Sequence, residues 1–211
     1  MNKKKMSELI SRSFDFKISD KEEGVLEGTP IVFEQKTDIG GMFEEVISRG
    51  AVTEQVLRDV AFFVNHDLNG KRLASTRNKT LELKITEHGV DMRTKLDLER
   101  TDAKDLYLAV RDGEIDGMSF MFRVEEDEWT NLESDYPTRR INKIGYVQEV
   151  SAVNFPAYEG TEIYARANNP LDSELQALDS ARAELKALDN AKKQKREKEI
   201  EILKIRLRKE N

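Results

Sequence analysis

The last 41 residues of the chain contain no glycine and no proline, and this stretch most constrains the fold. Pro170, just before it, suits the first turn of a helix, with Asn169 as the cap. Leucines recur three, four or seven residues apart over 171–188, and the apolar pattern resumes at Ile200–Leu207 after a charged middle. The pattern predicts one long helix with coiled-coil character. A solvated, partly disordered tail is the alternative.

Residues before this tail follow a different pattern, with glycines at turns and short runs of strand-forming residues between them. Glu87–Gly89 is typical of a hairpin turn. Helices are expected at Phe43–Arg49 and Asp102–Asp112, the second ending at Gly113. Many short strands with few helices predict a mainly β fold with helices (α+β), built on a closed β-barrel flanked by helices. Strands are predicted at Ser13–Ile18, Gly24–Gln35, Ala61–Val64, Thr80–Thr86, Val90–Leu98, Gly117–Val124 and Gly145–Phe155.

Composition excludes several classes of function. The chain has no cysteine and two histidines, which excludes disulfides, thiolate catalysis and thiolate metal sites and argues against a multi-histidine metal centre. No apolar run is long enough for a membrane span, and no apolar segment follows the basic N-terminus as in a secretory signal. The net charge is -6, and residues 171–211 carry +2, so residues 1–170 carry -8. An acidic body does not suggest a nucleic-acid binder.

Ser119 is the first candidate for chemistry. If Gly117–Val124 is a strand, Met118, Phe120 and Phe122 share its core face, and Ser119 points to the other face. Gly117 precedes it closely and allows other backbone to approach. This is a reasonable place for a nucleophile, although a half-exposed strand serine without a catalytic role is the commoner case.

His66 is the better of the two candidates for a general base. An apolar strand, Ala61–Val64, runs into the polar sequence Asn65-His66-Asp67, so the imidazole is expected at the rim of a site. A hydrogen-bonded structural histidine is the alternative. His88 lies in the predicted hairpin turn and is more simply explained as an exposed loop residue.

Glu149 is the expected partner of the imidazole. Asp67 is adjacent to His66, but neighbours on a strand point to opposite faces. Alternation places Glu149 on one face with Val147, Ser151, Val153 and Phe155, and a carboxylate on a face so apolar needs a partner. An imidazole would supply one, and a salt bridge to a nearby Arg or Lys is the alternative.

Three segments together resemble the caudovirus prohead (head-maturation) protease family: Asn65–Asp67, Gly117–Phe120 and Glu149–Tyr158. The early stretch Gly24–Phe33 agrees with this resemblance, which covers roughly residues 12–167. The related herpesvirus assemblins share a β-barrel wrapped by helices. The resemblance therefore implies an assemblin-like barrel with a serine nucleophile and a histidine base.

Carried over by position, the resemblance implies that Ser119 is the nucleophile, His66 the general base and Glu149 the group that orients His66. No cofactor and no metal is implied. The herpesvirus enzymes have an arginine pair near the oxyanion hole shortly after the third member. This sequence has Ala157-Tyr158 there, so a backbone N–H would have to serve.

The resemblance also implies partners and a place of action. Family substrates are the scaffold, or the scaffold segment of the major capsid protein, and the protease itself, inside the procapsid in the host cytoplasm. No membrane and no direct nucleic-acid contact is expected. We divide the chain into a flexible N-terminus (1–11), a protease domain (12–167) and a helical tail (168–211). The tail would pack with scaffold segments or drive self-association, and self-cleavage near Asn168–Pro170 is conceivable.

Other readings of the sequence stay open at this stage. The main one is a catalytically inactive barrel of the same fold that acts as a capsid assembly or scaffold protein. A generic hydrolase unrelated to capsids, and a nucleic-acid-binding barrel, are less favoured because of the motif set and the acidic body.

Overall fold

A computed structural model describes residues 10–18, 22–154 and 170–209. Within these ranges lie ten strands and two helices. The helices are α1 (Thr101–Arg111) and α2 (Pro170–Lys209). The strands are β1 (Ile10–Ile18), β2 (Val25–Val32), β3 (Thr37–Ile39), β4 (Phe43–Ile47), β5 (Ala61–Val64), β6 (Ala74–Ser75), β7 (Leu81–Ile85), β8 (Gly89–Lys95), β9 (Gly117–Thr130) and β10 (Thr138–Val153).

Most elements agree with the sequence predictions. All seven predicted strands are present, and α1 begins and ends one residue earlier than expected, with Gly113 at φ +75° just beyond it. The hairpin turn at Glu87–Gly89 joins β7 to β8. The strands β9 and β10 are longer than predicted, and together they form a long antiparallel hairpin. The tail is helical as predicted, and its coiled-coil pairing remains a prediction.

The predicted helix at Phe43–Arg49 is wrong, because this segment contains β4. Its apolar residues show a helix-like spacing, but β4 pairs in parallel with the first residues of β10 and antiparallel with β3. Both faces of the strand are covered: Glu45 and Val46, which point to opposite faces, are both buried. Tertiary pairing therefore overrides the local pattern.

The sheet has ten strands among the described residues, in the order β3-β4-β10-β9-β1-β2-β8-β7, and β5 and β6 lie off this path. One side of β10 pairs with β9, and the other pairs first with β4 and then with β5. The pairings confirm a mixed α+β fold, mostly strands. Within the described residues they run from β3 to β7 without joining these two edges, so a closed barrel is not confirmed.

The main core lies on one face of this sheet. Met118, Phe120 and Phe122 of β9 pack there beside Val150 and Ala152 of β10. Helix α1 adds the four residues that it buries, Ala103, Leu106, Tyr107 and Val110. Because side chains alternate along a strand, the residues between these positions point to the other face of β9 and β10, where the polar candidates lie.

Helix α2 docks on the far end of the β9–β10 hairpin. Leu178 is buried against Ile39 and Phe43. The Arg182 guanidinium donates to the carbonyl oxygens of Leu132 and Ser134 at 3.2 and 2.9 Å. The first part of the tail is thus anchored to the body.

A buried ion cluster reinforces this docking. We call Arg139, Glu45, Asp127 and Glu174 the anchor cluster. The Arg139 guanidinium lies 2.6 Å from Asp127, 3.0 Å from Glu174 and 3.4 Å from Glu45. It also lies 5.5 Å from the centre of the Trp129 ring, a cation–π distance. Both Glu45 and Glu174 are almost fully buried.

Candidate functional site

Three adjacent strands bring the candidate residues together. In β10, Ser151 is the register partner of Ser119 in β9 and of Phe63 in β5. Residues directly opposite in an antiparallel pair have Cβ atoms about 4.5–5.5 Å apart and on the same face. Ser119, Ser151 and the end of β5 therefore meet on the face opposite the main core.

Ser119 lies where the sequence predicted, on the non-core face of β9. The residue is 2% exposed, so it is more deeply buried than a half-exposed strand serine. On its other side, β1 covers β9 and pairs Ser13 with Ser119. Its neighbours on both sides fix the backbone from which the hydroxyl projects.

A β-bulge in β10 sets the direction of Glu149. Val147 is opposite Phe122 and faces the main core, whereas Glu149 is opposite Met121, and the register shifts between them. The predicted alternation, with Val147 and Glu149 on one face, is therefore wrong. The extra residue re-aims the carboxylate to the face of Ser119 and Ser151, as bulges beside functional sites commonly do.

His66 lies in a tight turn just after β5. Both Asn65 and His66 have left-handed backbone, with φ of 50° and 57°. This conformation costs about 1–2 kcal/mol per residue outside glycine, although asparagine tolerates it better. The turn ends β5 and places the imidazole against Glu149 of β10.

The end of β10 holds this turn through hydrogen bonds. The Asn65 N–H donates to the Ala152 carbonyl at 2.8 Å, and the His66 N–H donates to Ser151 Oγ at 3.2 Å. Asn65 and Asn154 add a clasp: the Asn154 backbone N–H donates to Asn65 Oδ1 at 3.0 Å, and Asn65 Nδ2 donates to Asn154 Oδ1 at 3.2 Å. These partners stabilise a backbone that would otherwise be unfavourable.

The His66 imidazole and the Glu149 carboxylate form a direct contact. Nδ1 of His66 lies 2.8 Å from Oε1 of Glu149, whose side chain is fully buried, while the imidazole is 24% exposed. An ionised carboxylate only accepts hydrogen bonds, so this contact assigns a proton to Nδ1 of His66. The Ser151 hydroxyl donates to the other oxygen, Oε2.

The rejected alternatives lie elsewhere. Asp67 accepts a bond within its own turn, from the Asn69 N–H at 3.1 Å. His88 is exposed in the β7–β8 hairpin. Among the described residues Glu149 contacts an imidazole and a hydroxyl, whereas the sequence had left open a salt bridge to an Arg or Lys.

Sequence reasoning missed two contributors, Ser151 and the Asn65–Asn154 clasp. Alternation had placed Ser151 beside Glu149, which was a usable signal, but its hydroxyl was assigned no role. Asn65 is a residue type enriched in left-handed turns, yet its long-range partner Asn154 could not be inferred from local pattern.

Some expectations fall outside the described residues. The oxyanion position, Ala157-Tyr158, and the rest of the third motif after Asn154 lie there, as does the proposed cleavage linker before Pro170. Within the described ranges no group of three or more potential ligands could hold a metal ion. In the same ranges no helix is long and apolar enough to cross a bilayer.

Comparison with known proteins identifies the family. A model of the caudovirus prohead serine protease family matches residues 8–173. The chain is also similar to the prohead protease of Enterobacteria phage HK97, at 33% identity over 147 residues. This alignment covers 69% of the chain and 61% of the relative, so the chain spans about three fifths of the relative's length. No solved structure matches. The chain belongs to the caudovirus prohead serine protease family.

Proposed function

We propose that this member of the caudovirus prohead serine protease family is a serine endopeptidase with Ser119 as nucleophile, His66 as general base and Glu149 as the group that orients His66. The observation that carries the proposal is the 2.8 Å contact between His66 Nδ1 and Glu149 Oε1. A fully buried carboxylate held against a partly exposed imidazole is the arrangement in which a neutral base keeps its reactive nitrogen directed outward.

The reaction follows from these positions. His66 Nε2 takes the proton of Ser119 Oγ as this oxygen attacks the scissile carbonyl, and Glu149 stabilises the imidazolium that forms. The same imidazolium then gives the proton to the leaving amine, and an acyl-enzyme remains. Water, deprotonated by His66, attacks the ester, the acyl group leaves as a carboxylic acid, and Ser119 recovers its proton. No metal or cofactor takes part in this scheme.

The substrates follow from the family. They are scaffold protein or the scaffold segment of the major capsid protein, and the protease itself. Cleavage would take place inside the procapsid in the host cytoplasm. The domain limits proposed from sequence, the closed assemblin-like barrel and the absence of direct nucleic-acid contact belong to the same proposal.

Helix α2 would carry the enzyme into the shell or drive self-association. Its first turns are held on the body by Leu178 and the anchor cluster, while Leu188, Ile200 and Leu203 further along are exposed. Exposed apolar residues on a helix favour pairing with another helix. Deletion of residues 183–211, which spares the docked turns, should abolish incorporation into procapsids and leave cleavage of a soluble substrate intact.

The test is co-expression with the neighbouring capsid protein, followed by intact-mass analysis. Wild type should shorten its substrate, whereas Ser119→Ala should not. Ser75→Ala is the matched control, because Ser75 is also buried (1% exposed) and its hydroxyl donates to Asn78 outside the site. The proposal is supported if the wild type and Ser75→Ala both shorten the substrate and Ser119→Ala alone does not. Equal masses in all three proteins contradict it.

A second candidate, a catalytically inactive assembly protein, has one observation in its favour. Ser119 is only 2% exposed, so a substrate carbonyl reaches it only if neighbouring chain gives way. The same experiment separates the two candidates, because an inactive protein leaves every substrate mass unchanged while it still enters the procapsid.

A further inference from the structure

We infer that Ser151 is a positioning residue that fixes both Glu149 and His66 through one hydroxyl group. The inference rests on the proposed function and adds a fourth residue to the three already named. Ser151 is fully buried at 0% exposure, and burial of a polar side chain is costly unless its hydrogen bonds are made.

The Ser151 hydroxyl both donates and accepts a hydrogen bond at the site. It donates to Oε2 of Glu149, and its oxygen accepts the backbone N–H of His66 at 3.2 Å. A hydroxyl has one donor and two acceptor positions, so a single group can serve the two contacts at once. It thereby ties the carboxylate and the backbone of the imidazole-bearing turn to the same atom.

The position of the hydroxyl is set by the sheet. Ser151 lies between Phe63 of β5 and Ser119 of β9, which are its register partners on either side. A strand in the interior of a sheet is held by ladder bonds on both edges, so its side chains have little freedom to shift. The hydroxyl therefore acts as a fixed point beside the proposed nucleophile.

Two consequences follow for the geometry of His66. One is that Glu149 cannot rotate away from Nδ1, because its other oxygen is bound. The other is that the left-handed backbone at His66, φ 57°, keeps an acceptor for its N–H. Both constraints limit movement of the His66 ring, and small errors in the position of a catalytic group lower rates strongly.

The test measures how fast a fluorophosphonate probe phosphonylates Ser119 in the full chain: the serine oxygen bonds to phosphorus and fluoride leaves. The probe reacts with an activated serine and needs no knowledge of cleavage specificity. Ser151→Ala should lower the maximal rate of inactivation about 10- to 100-fold, which is the range for losing a hydrogen bond to a charged group. The probe concentration for half-maximal rate should change little. Ser151→Thr, which keeps the hydroxyl, should recover most of the rate.

A matched control removes another buried hydroxyl far from the site. Thr94 on β8 is 1% exposed, and its hydroxyl donates to the Thr80 carbonyl at 2.7 Å. Thr94→Val should lower thermal stability by an amount comparable to Ser151→Ala and leave the inactivation rate unchanged. An equal loss of rate in both variants would overturn the inference, since the effect would then be one of stability.

A double-mutant cycle with Glu149→Gln tests whether Ser151 acts through the carboxylate. If it does, adding Ser151→Ala to Glu149→Gln should lower the rate far less than adding it to wild type. Additive losses would overturn the inference.

Two further outcomes are distinguishable from each other. Probe labelling that depends on Ser119 but not on Ser151 overturns this inference alone. Labelling that survives Ser119→Ala at the wild-type rate overturns the proposed function itself.

Discussion

The two ends of the β9–β10 hairpin both bury carboxylates, but they neutralise them differently. At one end Glu149 contacts a partly exposed imidazole and a hydroxyl. At the other end Glu45 and Glu174 contact the guanidinium of Arg139, which is itself only 6% exposed. The same pair of strands therefore has a carboxylate–imidazole pair at one end and a carboxylate–guanidinium cluster at the other.

The two partners, a guanidinium and an imidazole, suit different roles. Arginine stays protonated under all ordinary conditions, so the anchor cluster keeps its charges and holds α2 in place. An imidazole is a common general base in proteins, so the pair at the other end fits the role that we propose for His66. A buried carboxylate thus indicates function only together with the chemistry of its partner.

The largest effect on the reaction rate is expected at His66, and His88 provides the control. His66→Gln should lower the rate at which the probe phosphonylates Ser119 about 10²- to 10⁴-fold, the usual contribution of a general base. His88→Gln is the matched control, because His88 is exposed in a hairpin turn, and it should leave the rate unchanged. Probe kinetics on both variants measure this. Comparable losses in both would contradict the assignment of the base.

Two buried glutamates, exchanged for glutamine, compare the two ends directly. Glu149→Gln should lower the rate at which the probe phosphonylates Ser119 about 10²- to 10⁴-fold, because an amide does not hold the correct tautomer or stabilise the imidazolium. Glu45→Gln should instead lower the free energy of unfolding and leave the rate per folded molecule nearly unchanged. Urea titration and probe kinetics give both quantities. A larger loss of probe rate in Glu45→Gln than in Glu149→Gln would contradict the comparison.

Removal of the buried cation at the anchor end should be costly to stability. Arg139→Ala leaves Glu45 and Glu174 buried without their guanidinium, which should lower the free energy of unfolding by about 3–5 kcal/mol. The rate at which the probe phosphonylates Ser119 in the folded protein should stay the same. Urea titration gives the first quantity, and a loss under about 1 kcal/mol would show that the cluster does not anchor the helix.

The neighbouring Arg140 provides the control for this variant. Its guanidinium is 41% exposed and lies 2.8 Å from Glu34, and the hydrogen bond that it donates lowers the pKa of that carboxyl, with further help from the Arg49 N–H. Exposed pairs contribute little, so Arg140→Ala should cost under about 1 kcal/mol.

The smallest effect concerns Tyr136, in the loop at the anchor end. Although Tyr136 is 43% exposed, desolvation of its phenol group, and then a hydrogen bond to Asp38, raise its pKa to about 12. The folded value is above the unfolded value of about 10, so this contribution to stability is complete below pH ~10 and is lost as the pH rises towards 12. A spectrophotometric pH titration should show a tyrosine that ionises near pH 12 and is absent in Tyr136→Phe. Identical curves would contradict the shift.

Local pattern was enough to predict much of the fold and to choose the candidate residues. The apolar run before Asn65, the alternation around Ser119 and the glycine-free tail each predict an element that the structure contains. The candidates then follow from scarcity, since two histidines leave little choice of base. The catalytic roles themselves remain predictions.

Features that depend on distant pairing could not be predicted. The segment at Phe43 has a helix-like pattern, and only its pairing with β10 makes it a strand. The bulge between Val147 and Glu149 breaks an alternation that sequence alone must assume to continue. The anchor cluster joins Glu45 to Glu174 through Arg139, and nothing near any of these residues in sequence indicates the other two.

The central claim is that Ser119 is an activated nucleophile, and peptide mapping after reaction with a fluorophosphonate tests it most directly. We expect a single modified peptide, with the added mass on Ser119, that is absent after denaturation and forms about 10²- to 10⁴-fold more slowly in His66→Gln. Modification at another serine, or none in the folded wild-type chain at saturating probe while the protein still shortens its capsid substrate, would contradict it.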